Sequence, residues 1–580
     1  MRKYVFLVGC LLGMILMMFP VQAQEKITPL LATDEARCQQ WVDSVMSHLS
    51  LQEKIGQLLV PRVPAVADKA TKKQLKEWVR KYKIGGLLFA KGTIEGQAVL
   101  TNQVQKDSKV PMLITVDGEW GLSMRLTDAP EFPRNAALGC ITDNSRIEAY
   151  GREMARELRA LGVHVNFAPV ADVNTNPFNP VINVRSFGED TRAVTEKVLA
   201  YSRGLESGGV LSVAKHFPGH GDTSTDSHRT LPMLRHDRAR LDSVELHPFR
   251  EYIRAGLGGM MVGHLQVSAL EADSLLPSSL SRSIVTDLLQ DDLGFSGLVF
   301  TDALDMRGVT RVPGYFAKAV KAGNDMLLVQ SAVVKALNEV MAAVKDGTLT
   351  EADVDARCRK VLAWKYRLGL RQKPGKLPVK EIKGLICTPE ALGLTAALRR
   401  EAVTVLRNYF GVLPLAPAAQ GGGVAVLSMG EQNADSAFVA AMQERGGIDC
   451  LRLPWNASEE EQQAMKQKLA SYSRVVVSIA GVNYAGESDV AFLAGLNLRA
   501  PLVYVFFTPY RLLPVMTPAL ARSNAVVLAH SAESDLQRHV AKVLFAEAGA
   551  NGRLAMSVGR LFPVGAGCDV KVRAVDQILF

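Results

Sequence analysis

The chain has 580 residues, of which 48% are hydrophobic and 22% charged, an ordinary globular composition that excludes disorder as the default and leaves room for two or three domains with real cores. Its formal net charge is +9, from 67 basic and 58 acidic residues. The positive residues are spread along the chain except between Lys69 and Lys83, a stretch that reads as one solvated helix face, and no basic patch interleaved with aromatics argues for nucleic acid as a partner.

At the start, Met1-Arg2-Lys3 precedes an apolar stretch through Phe19 and then Val21-Gln22-Ala23. A charged leader, an apolar run and a small-residue cleavage site predict a signal peptide over residues 1–23, and so an exported, periplasmic protein. Leu7-Val8-Gly9-Cys10 also has the form of a lipoprotein box. Cleavage there leaves too short an apolar run before Cys10 and a second long one after it, so lipid anchoring is the weaker reading. No later stretch is long and charge-free enough to span a bilayer, which predicts no transmembrane segment. Cys38, Cys140, Cys358, Cys387, Cys450 and Cys568 follow the leader with no Cys-x-x-Cys pair; this spacing predicts no metal site and does not fix any disulfide.

From about residue 50 to 370, short aliphatic runs alternate with amphipathic ones. The runs Gln57 to Val60, Gly86 to Ala90, Met112 to Asp117, Val165 to Asp172, Ser212 to His216, Met260 to His264, Leu298 to Asp302 and Asp325 to Val329 read as strands. Stretches between them, such as Arg146 to Leu161, Val194 to Glu206 and Leu241 to Ala255, carry helical periodicity. The repeated unit is βα, and its closed form is an α/β barrel of the (β/α)8, TIM-like kind, expected over residues 24–375. Asp117, Asp172, Lys215, His216, His264 and Asp302 all fall at the C-terminal ends of their strands, the face that carries the active site in this fold.

Near Lys373-Pro374-Gly375-Lys376-Leu377-Pro378 the pattern gives way to a basic, proline-containing connection, read as a linker over 376–395. Beyond it, Gly423 to Met429, Val475 to Ala480, Leu502 to Phe507 and Ala525 to Ala529 are apolar strands separated by helical stretches. They predict an open α/β layered domain, an α/β/α sandwich, over 396–580.

The richest chemistry lies in Val213-Ala214-Lys215-His216-Phe217-Pro218-Gly219-His220-Gly221-Asp222-Thr223-Ser224-Thr225-Asp226-Ser227-His228. Pro218, Gly219 and Gly221 break any regular ladder, so these ionisable groups converge in a loop. The spacing of His216, His220 and Asp222 superficially suits a metal, but the i, i+4 pair of a zinc helix needs a helix that Phe217-Pro218-Gly219 removes; the reading is that no metal is bound. Asp226 stands two residues before His228, where a carboxylate can hold one ring nitrogen and leave the other to carry protons.

Lys-His-Phe-Pro-Gly-His-Gly-Asp-Thr followed by Asp-Ser-His resembles the signature of glycoside hydrolase family 3, in its β-N-acetylglucosaminidase (NagZ-like) branch. Further blocks agree and run in the family's order from about residue 40 to about 560. They are Thr115 to Gly121 ending at Arg125, Asn166 to Asn174, Pro180 to Ile182 leading to Arg185-Ser186-Phe187-Gly188, and Val299-Phe300-Thr301-Asp302-Ala303-Leu304. The resemblance implies the barrel followed by a second α/β domain, and a retaining exo-β-N-acetylglucosaminidase that needs no cofactor. It assigns the nucleophile to Asp302 rather than Asp305, and the acid/base to His228 oriented by Asp226. Asp117, Arg125, Arg185, Lys215 and His216 become sugar-binding groups. The expected partner is a carbohydrate, an N-acetylglucosamine-terminated glycan or muropeptide.

This chain departs from many members at Gly118 and Trp120, which leaves the outer pocket open: Trp120 is either a stacking platform or an indole wedged between loops. The alternative enzyme is a family 3 β-glucosidase or β-xylosidase with an acid/base from the second domain, for which Glu487 is the nearest candidate. A catalytically inactive glycan-binding protein is the reading from a different class; it would need Asp302 or His228 to be missing, and both are present. Aglycone and oligomeric state do not follow from the sequence.

Overall fold

The computed structural model describes residues 30, 33–225, 231–416, 423–481 and 486–573. The leader expected over 1–23, and Asp226 and His228, lie outside the described residues. No helix among those described is long and apolar enough to cross a membrane.

The barrel strands are β1 (Leu59–Ala65), β2 (Gly86–Gly92), β3 (Leu113–Val116), β4 (Val165–Asn166), β5 (Leu211–Phe217), β6 (Gly259–Val262), β7 (Leu298–Thr301) and β8 (Leu327–Gln330). Each lies in or beside one of the apolar runs picked out by periodicity. Their spatial order is β8-β1-β2-β3-β4-β5-β6-β7 with every ladder parallel. The ring is nearly closed by a parallel bridge from Phe300 in β7 to Met326, just before β8. A helix follows each strand, including Lys69–Lys81, Ile94–Asp107, Asn144–Ala160 and Thr191–Ser207. These helices begin where short polar side chains satisfy free backbone N–H groups: Asp68 accepts from Thr71, Asp143 from Ser145 and Asp190 from Ala193. In Lys69–Lys81, Thr71, Leu75, Trp78 and Val79 face the core while the lysines stay in solvent.

Several boundaries differ from the sequence reading: β4 ends at Asn166 and not at Asp172, β1 continues to Ala65, and the start of β1 has a clear cause. β1 begins at Leu59, because Leu51–Gln57 is a helix closed at its N-terminus by a Ser50/Glu53 capping box. Gln57 therefore ends a helix and does not open a strand.

The second domain is a six-stranded sheet in the order β9-β14-β13-β12-β10-β11. Its strands are β9 (Thr404–Asn408), β10 (Val424–Gly430), β11 (Ile448–Arg452), β12 (Arg474–Ala480), β13 (Leu502–Phe507) and β14 (Ala525–Leu528). β9 runs antiparallel to β14 and the rest are parallel. Alternate residues of the central strands enter two separate cores, one on each face: Val475, Val477 and Ile479 pack on one side, Val476 and Ala480 on the other. This is the layered α/β/α arrangement expected of an open parallel sheet. The stretch between the domains is itself structured, with helices Ile382–Ile386 and Pro389–Glu401. Ile382, Ile386 and Leu398 join the barrel's core.

Candidate active site

At the C-terminal mouth of the barrel lies a cavity of about 500 Å³ whose lining includes Asp117, Arg125, Arg185, Lys215, His216 and Asp302. These are all of the sugar-binding candidates together with the candidate nucleophile. β5 delivers two of them through an irregularity. Lys215 pairs with Met261 and Phe217 with Val262, so His216 is an extra residue in the ladder. A bulge of this kind re-aims side chains, and here it allows the consecutive Lys215 and His216 both to line the mouth.

Charges at the mouth are paired in a chain. The Lys215 ammonium lies 2.6 Å from Asp117 and 2.8 Å from Glu119. Arg125 donates to the other oxygen of Asp117. Arg185 forks onto Glu119 through Nε at 2.9 Å and Nη2 at 2.7 Å, a planar bidentate geometry that fixes the guanidinium. Burial pushes the Glu119 carboxyl up, but Arg185 and Lys215 outweigh it and hold Glu119 well below the usual carboxylate range. Burial likewise disfavours the Lys215 and Arg185 cations, and Asp117 and Glu119 overcome it, raising both above their ordinary values. Glu119, Lys215 and Arg185 are therefore held in their charged forms, and the remaining N–H groups of the cations can point to sugar hydroxyls or an acyl oxygen without reorganising.

A second cluster organises the histidines. Asp172 is fully buried and accepts from the His216 ring at 2.8 Å, from the His216 N–H at 3.2 Å and from the His220 N–H at 2.7 Å. His216 turns its other nitrogen toward Arg185 at 3.4 Å. His220 pairs through Nδ1 with Thr223 at 2.7 Å, and burial together with His216 pushes its pKa down to about 4, so it is neutral at pH 7. The turn that carries it needs glycine. Gly219 has φ of +123°, and a Cβ on Gly221 would stand 1.8 Å from the carbonyl oxygen of Val173. His216, His220 and Asp222 thus face three different partners, since Asp222 contacts His236.

Asp302 follows the last residue of β7, and its Oδ1 accepts the Ala303 N–H at 2.7 Å. Burial opposes its charge, but His264, His216, the Ala303 N–H and Lys215 outweigh it and hold the carboxyl below its ordinary value. An ionised carboxylate on the cavity wall is what nucleophilic attack on an anomeric carbon requires. His264 is fixed beside it, with Nε2 on the Ala303 carbonyl at 3.0 Å and Nδ1 on Ser279 at 2.7 Å. Asp305 also lines the cavity but is exposed.

Glu119 and Asp172 carry the electrostatics of the mouth. Sequence reasoning placed Asp172 on the active face without a role and gave Glu119 none; for Glu119 the available signal was position, an acidic residue just past the end of β3. At Trp120, the Arg134 guanidinium covers the indole at 3.8 Å from its centroid. The ring is half-buried and is not part of the cavity lining. Glu487 is the exposed first residue of helix Glu487–Ala494 and does not line the cavity either.

The second domain braces this mouth from outside. The Ser557 N–H and hydroxyl both donate to Glu189 at 3.0 Å, Glu189 N–H donates to the Ala555 carbonyl at 3.1 Å, and the Asn174 amide lies 3.6 Å from the sulfur of Met556. The loop between β4 and helix Thr191–Ser207, which carries Arg185, is thereby held at both ends. A separate cavity of about 220 Å³ between the domains is lined by Phe132, Arg134, Phe507, Tyr510 and His530 and contains none of the candidate catalytic groups. The six cysteines among the described residues are free, and three of them are buried. Among the described residues, Asp222, His236 and Glu245 are the one group whose potential metal-ligand atoms lie within 4.8 Å of one another. Glu245 already takes Arg240 at 3.1 Å.

The barrel carries at its mouth a fixed set of charged donors and acceptors suited to a hydroxyl-rich ligand. Residues 50–364 match the glycosyl hydrolase family 3 N-terminal domain, and the chain belongs to that family. It is 35% identical over 379 residues to a β-hexosaminidase A of Pseudoalteromonas piscicida, a match covering 60% of this chain and 63% of that protein. It is 27% identical over 506 residues to a β-N-acetylglucosaminidase/β-glucosidase of Cellulomonas fimi, covering 82% of this chain and 89% of the relative. A solved family 3 β-N-acetylglucosaminidase from Paenibacillus sp. str. FPU-7 superposes with a TM-score of 0.71 at 27% identity, over 91% of this chain and 100% of that one.

Proposed function

We propose that this protein is a retaining exo-β-N-acetylglucosaminidase that removes terminal β-linked N-acetylglucosamine from peptidoglycan fragments or related glycans after export to the periplasm. The observation that carries the reading is the single cavity in which Asp302 faces the Asp117, Arg125, Arg185, Lys215 and His216 group; the names of the Pseudoalteromonas, Cellulomonas and Paenibacillus proteins support the substrate class. The leader at Met1 to Ala23 supports export.

In this mechanism the paired cations and Asp117 hold the sugar, and Asp302 attacks the anomeric carbon to form a glycosyl-aspartate. His228 gives its proton to the leaving oxygen and then takes one from the water that releases the sugar. Asp226 orients the imidazole and supports its protonated form. A histidine donor adds no negative charge beside an anionic aglycone such as a muramic-acid carboxylate.

The test is a panel of aryl β-glycosides. The N-acetylglucosaminide should be turned over much faster than the glucoside and the xyloside; the reverse order sinks the substrate assignment. On phenols of graded acidity, His228→Ala should lose far more kcat/KM with poor leaving groups than with good ones, and Asp226→Asn should show a weaker form of that pattern. If His228→Ala keeps the wild-type dependence, the acid is another residue, and Glu487 is the next to mutate.

A further inference from the structure

The ring of strands divides the barrel mouth into two arcs. Asp117 and Arg125 follow β3, Arg185 follows β4, and Lys215 and His216 belong to β5, so the sugar-gripping candidates all come from one arc. Across the ring, β7, β8 and β1 and the loop after β7 contribute Asp302, Asp305, Arg307, Gln330 and Arg62 to the lining of the same cavity. This second arc is tied together by backbone. Pro61, next to Arg62, pairs with Gln330 at the end of β8, and the Leu304 N–H donates to the Leu328 carbonyl at 2.9 Å, which staples the loop after β7 to β8.

The arginines of the two arcs are employed differently. Arg125 is bonded to Asp117 and Arg185 to Glu119, and both are half-buried. Arg62 and Arg307 are exposed, and neither makes a hydrogen bond or an ion pair among the described residues. Asp305 shares their rim and pairs with neither. Exposed arginines are ordinary on a protein surface. Two of them in the lining of a ligand-sized cavity, with no carboxylate of the protein to satisfy them, offer planar donor forks to whatever enters it.

Resting on the function proposed above, we infer that Arg62 and Arg307 are specificity-determining residues that select an aglycone bearing a carboxylate. The terminal sugar, gripped by its hydroxyls on the β3–β5 side, presents its anomeric carbon to Asp302 at the end of β7. The aglycone continues from that carbon away from the gripped end of the ring, and so toward β7, β8 and β1, where the two arginines line the wall. Exposure agrees with this order: Lys215 is 2% exposed, whereas Arg62 and Arg307 stand at the open rim. A carboxylate that arrives there breaks no existing ion pair, since neither guanidinium has one to lose. Asp305 opposes an anion, but its single charge is outnumbered by the two arginines.

The experiment uses the disaccharide N-acetylglucosaminyl-β-1,4-N-acetylmuramic acid and its neutral methylamide, which share the glycosidic bond and differ in the carboxylate. Wild-type enzyme should prefer the acid in kcat/KM, and the preference should shrink as salt rises from about 0.01 M to about 0.5 M. In the Arg62→Gln, Arg307→Gln double variant the acid-to-amide ratio should fall about tenfold, mainly through KM, the scale of two exposed charge-assisted contacts. Asp305→Asn should raise the ratio. A second pair, the disaccharide carrying a dipeptide on its lactyl group as the free acid and as the amide, distinguishes a peptide carboxylate from the lactyl one; an arginine-dependent preference in either pair upholds the inference. An enzyme that cleaves an aryl N-acetylglucosaminide but shows no such preference in either pair, or whose ratios are unchanged in the double variant, overturns the role of the arginines. Failure on the aryl N-acetylglucosaminide and on every disaccharide overturns the parent reading instead, and the inference with it. Both side chains are exposed and unpaired, so folding of the variants is not at issue.

Discussion

Lys215 and Lys365 are both buried in the barrel, 2% and 0% exposed, at opposite ends of it. Lys215 stands at the mouth between two carboxylates, Asp117 and Glu119, and its pKa lies above the ordinary value despite burial. Lys365 stands below β1, where its Nζ reaches the neutral Gln57 Oε1 at 2.7 Å, and burial pushes its pKa down to about 7. His164, beneath β4, is in similar surroundings: burial, with Arg159 and Lys365, drives its pKa down to about 3. Burial is common to all three, so the partners decide the charge state. The mouth keeps fixed charges for a polar ligand, and the opposite end tolerates ionisable groups that shed theirs.

The largest effect expected at the mouth is from Asp302→Ala, which removes the attacking group and with it the two-step route. Its kcat should fall on the order of 10³-fold or more with the circular dichroism spectrum unchanged. Asp305→Ala should be much milder. An Asp302→Ala enzyme retaining more than about a tenth of wild-type kcat sinks the assignment, because losing a participating nucleophile costs several powers of ten.

Next in size is Lys215→Met, which leaves Asp117 and Glu119 facing each other across a buried gap with only the two arginines to compensate. Breaking a buried pair from one side typically costs about 3–5 kcal/mol, and activity should fall with stability. The same substitution at the other end sharpens the contrast, because Lys365→Met should stabilise the fold by about 1–3 kcal/mol at pH 6. The sign follows from the direction of the shift. The folded pKa of Lys365 is depressed, so between about 7 and its ordinary 10.5 the unfolded chain binds more protons, and this group's contribution to stability improves as pH rises through that window. Denaturant titrations at pH 6 and pH 10 should show the advantage of Lys365→Met shrinking toward the alkaline side. A constant difference would show that Lys365 is not the group responsible.

Glu157 supplies a control of opposite slope. It is fully buried, neither carboxylate oxygen has a hydrogen-bond partner among the described residues, and burial with Glu153 raises its pKa to about 8. A carboxyl whose folded pKa is raised contributes stability at acid pH and loses it as pH climbs from about 4.5 to about 8. Glu157→Gln should therefore be neutral to mildly stabilising at pH 8 and lose that advantage at pH 5.

The same physics explains what was legible in the sequence. The barrel strands could be read where they are buried on both faces and written as apolar runs, as β3, β6 and β7 are throughout and β2 is in its first four residues; β1, with Arg62 and Pro64 exposed, showed only at its start. In the second domain, β10, β12, β13 and β14 were legible for that reason, whereas β9 and β11 were not. β11 is an edge strand, Ile448-Asp449-Cys450-Leu451-Arg452, with Asp449 and Arg452 exposed, and β9 is the opposite edge, ending in Arg407 and Asn408. Edge strands need not be apolar throughout, so periodicity is faint in them. The ligand-facing residues were found through strand ends and loop composition, but Glu119 and Asp172 were not given roles. Their function is to hold Arg185, Lys215 and His216, and a residue that acts on its neighbours leaves a weaker trace than one that faces the cavity. The packed helix Ile382–Ile386 was hidden by the Lys-Pro-Gly-Lys stretch before it, which has the composition of a linker although the chain beyond it returns to the barrel.

The smallest effect expected is from chelation, which should leave activity unchanged. Asp222, His236 and Glu245 bring potential ligand atoms close together beside the stem of the segment holding Asp226 and His228, so the prediction is open to failure there. Against a metal, Asp222 and His236 already contact each other and Glu245 is bonded to Arg240. A cation would have to displace a guanidinium from a carboxylate that is 2% exposed, and His236 would have to turn a free ring nitrogen toward it. Incubation with EDTA followed by assay on an aryl N-acetylglucosaminide is the check. Loss of activity restored by a divalent ion would show that this cluster, and not protein contacts alone, organises the acid/base stem, and would place the charge balance of the mouth partly on a group the chain does not itself supply.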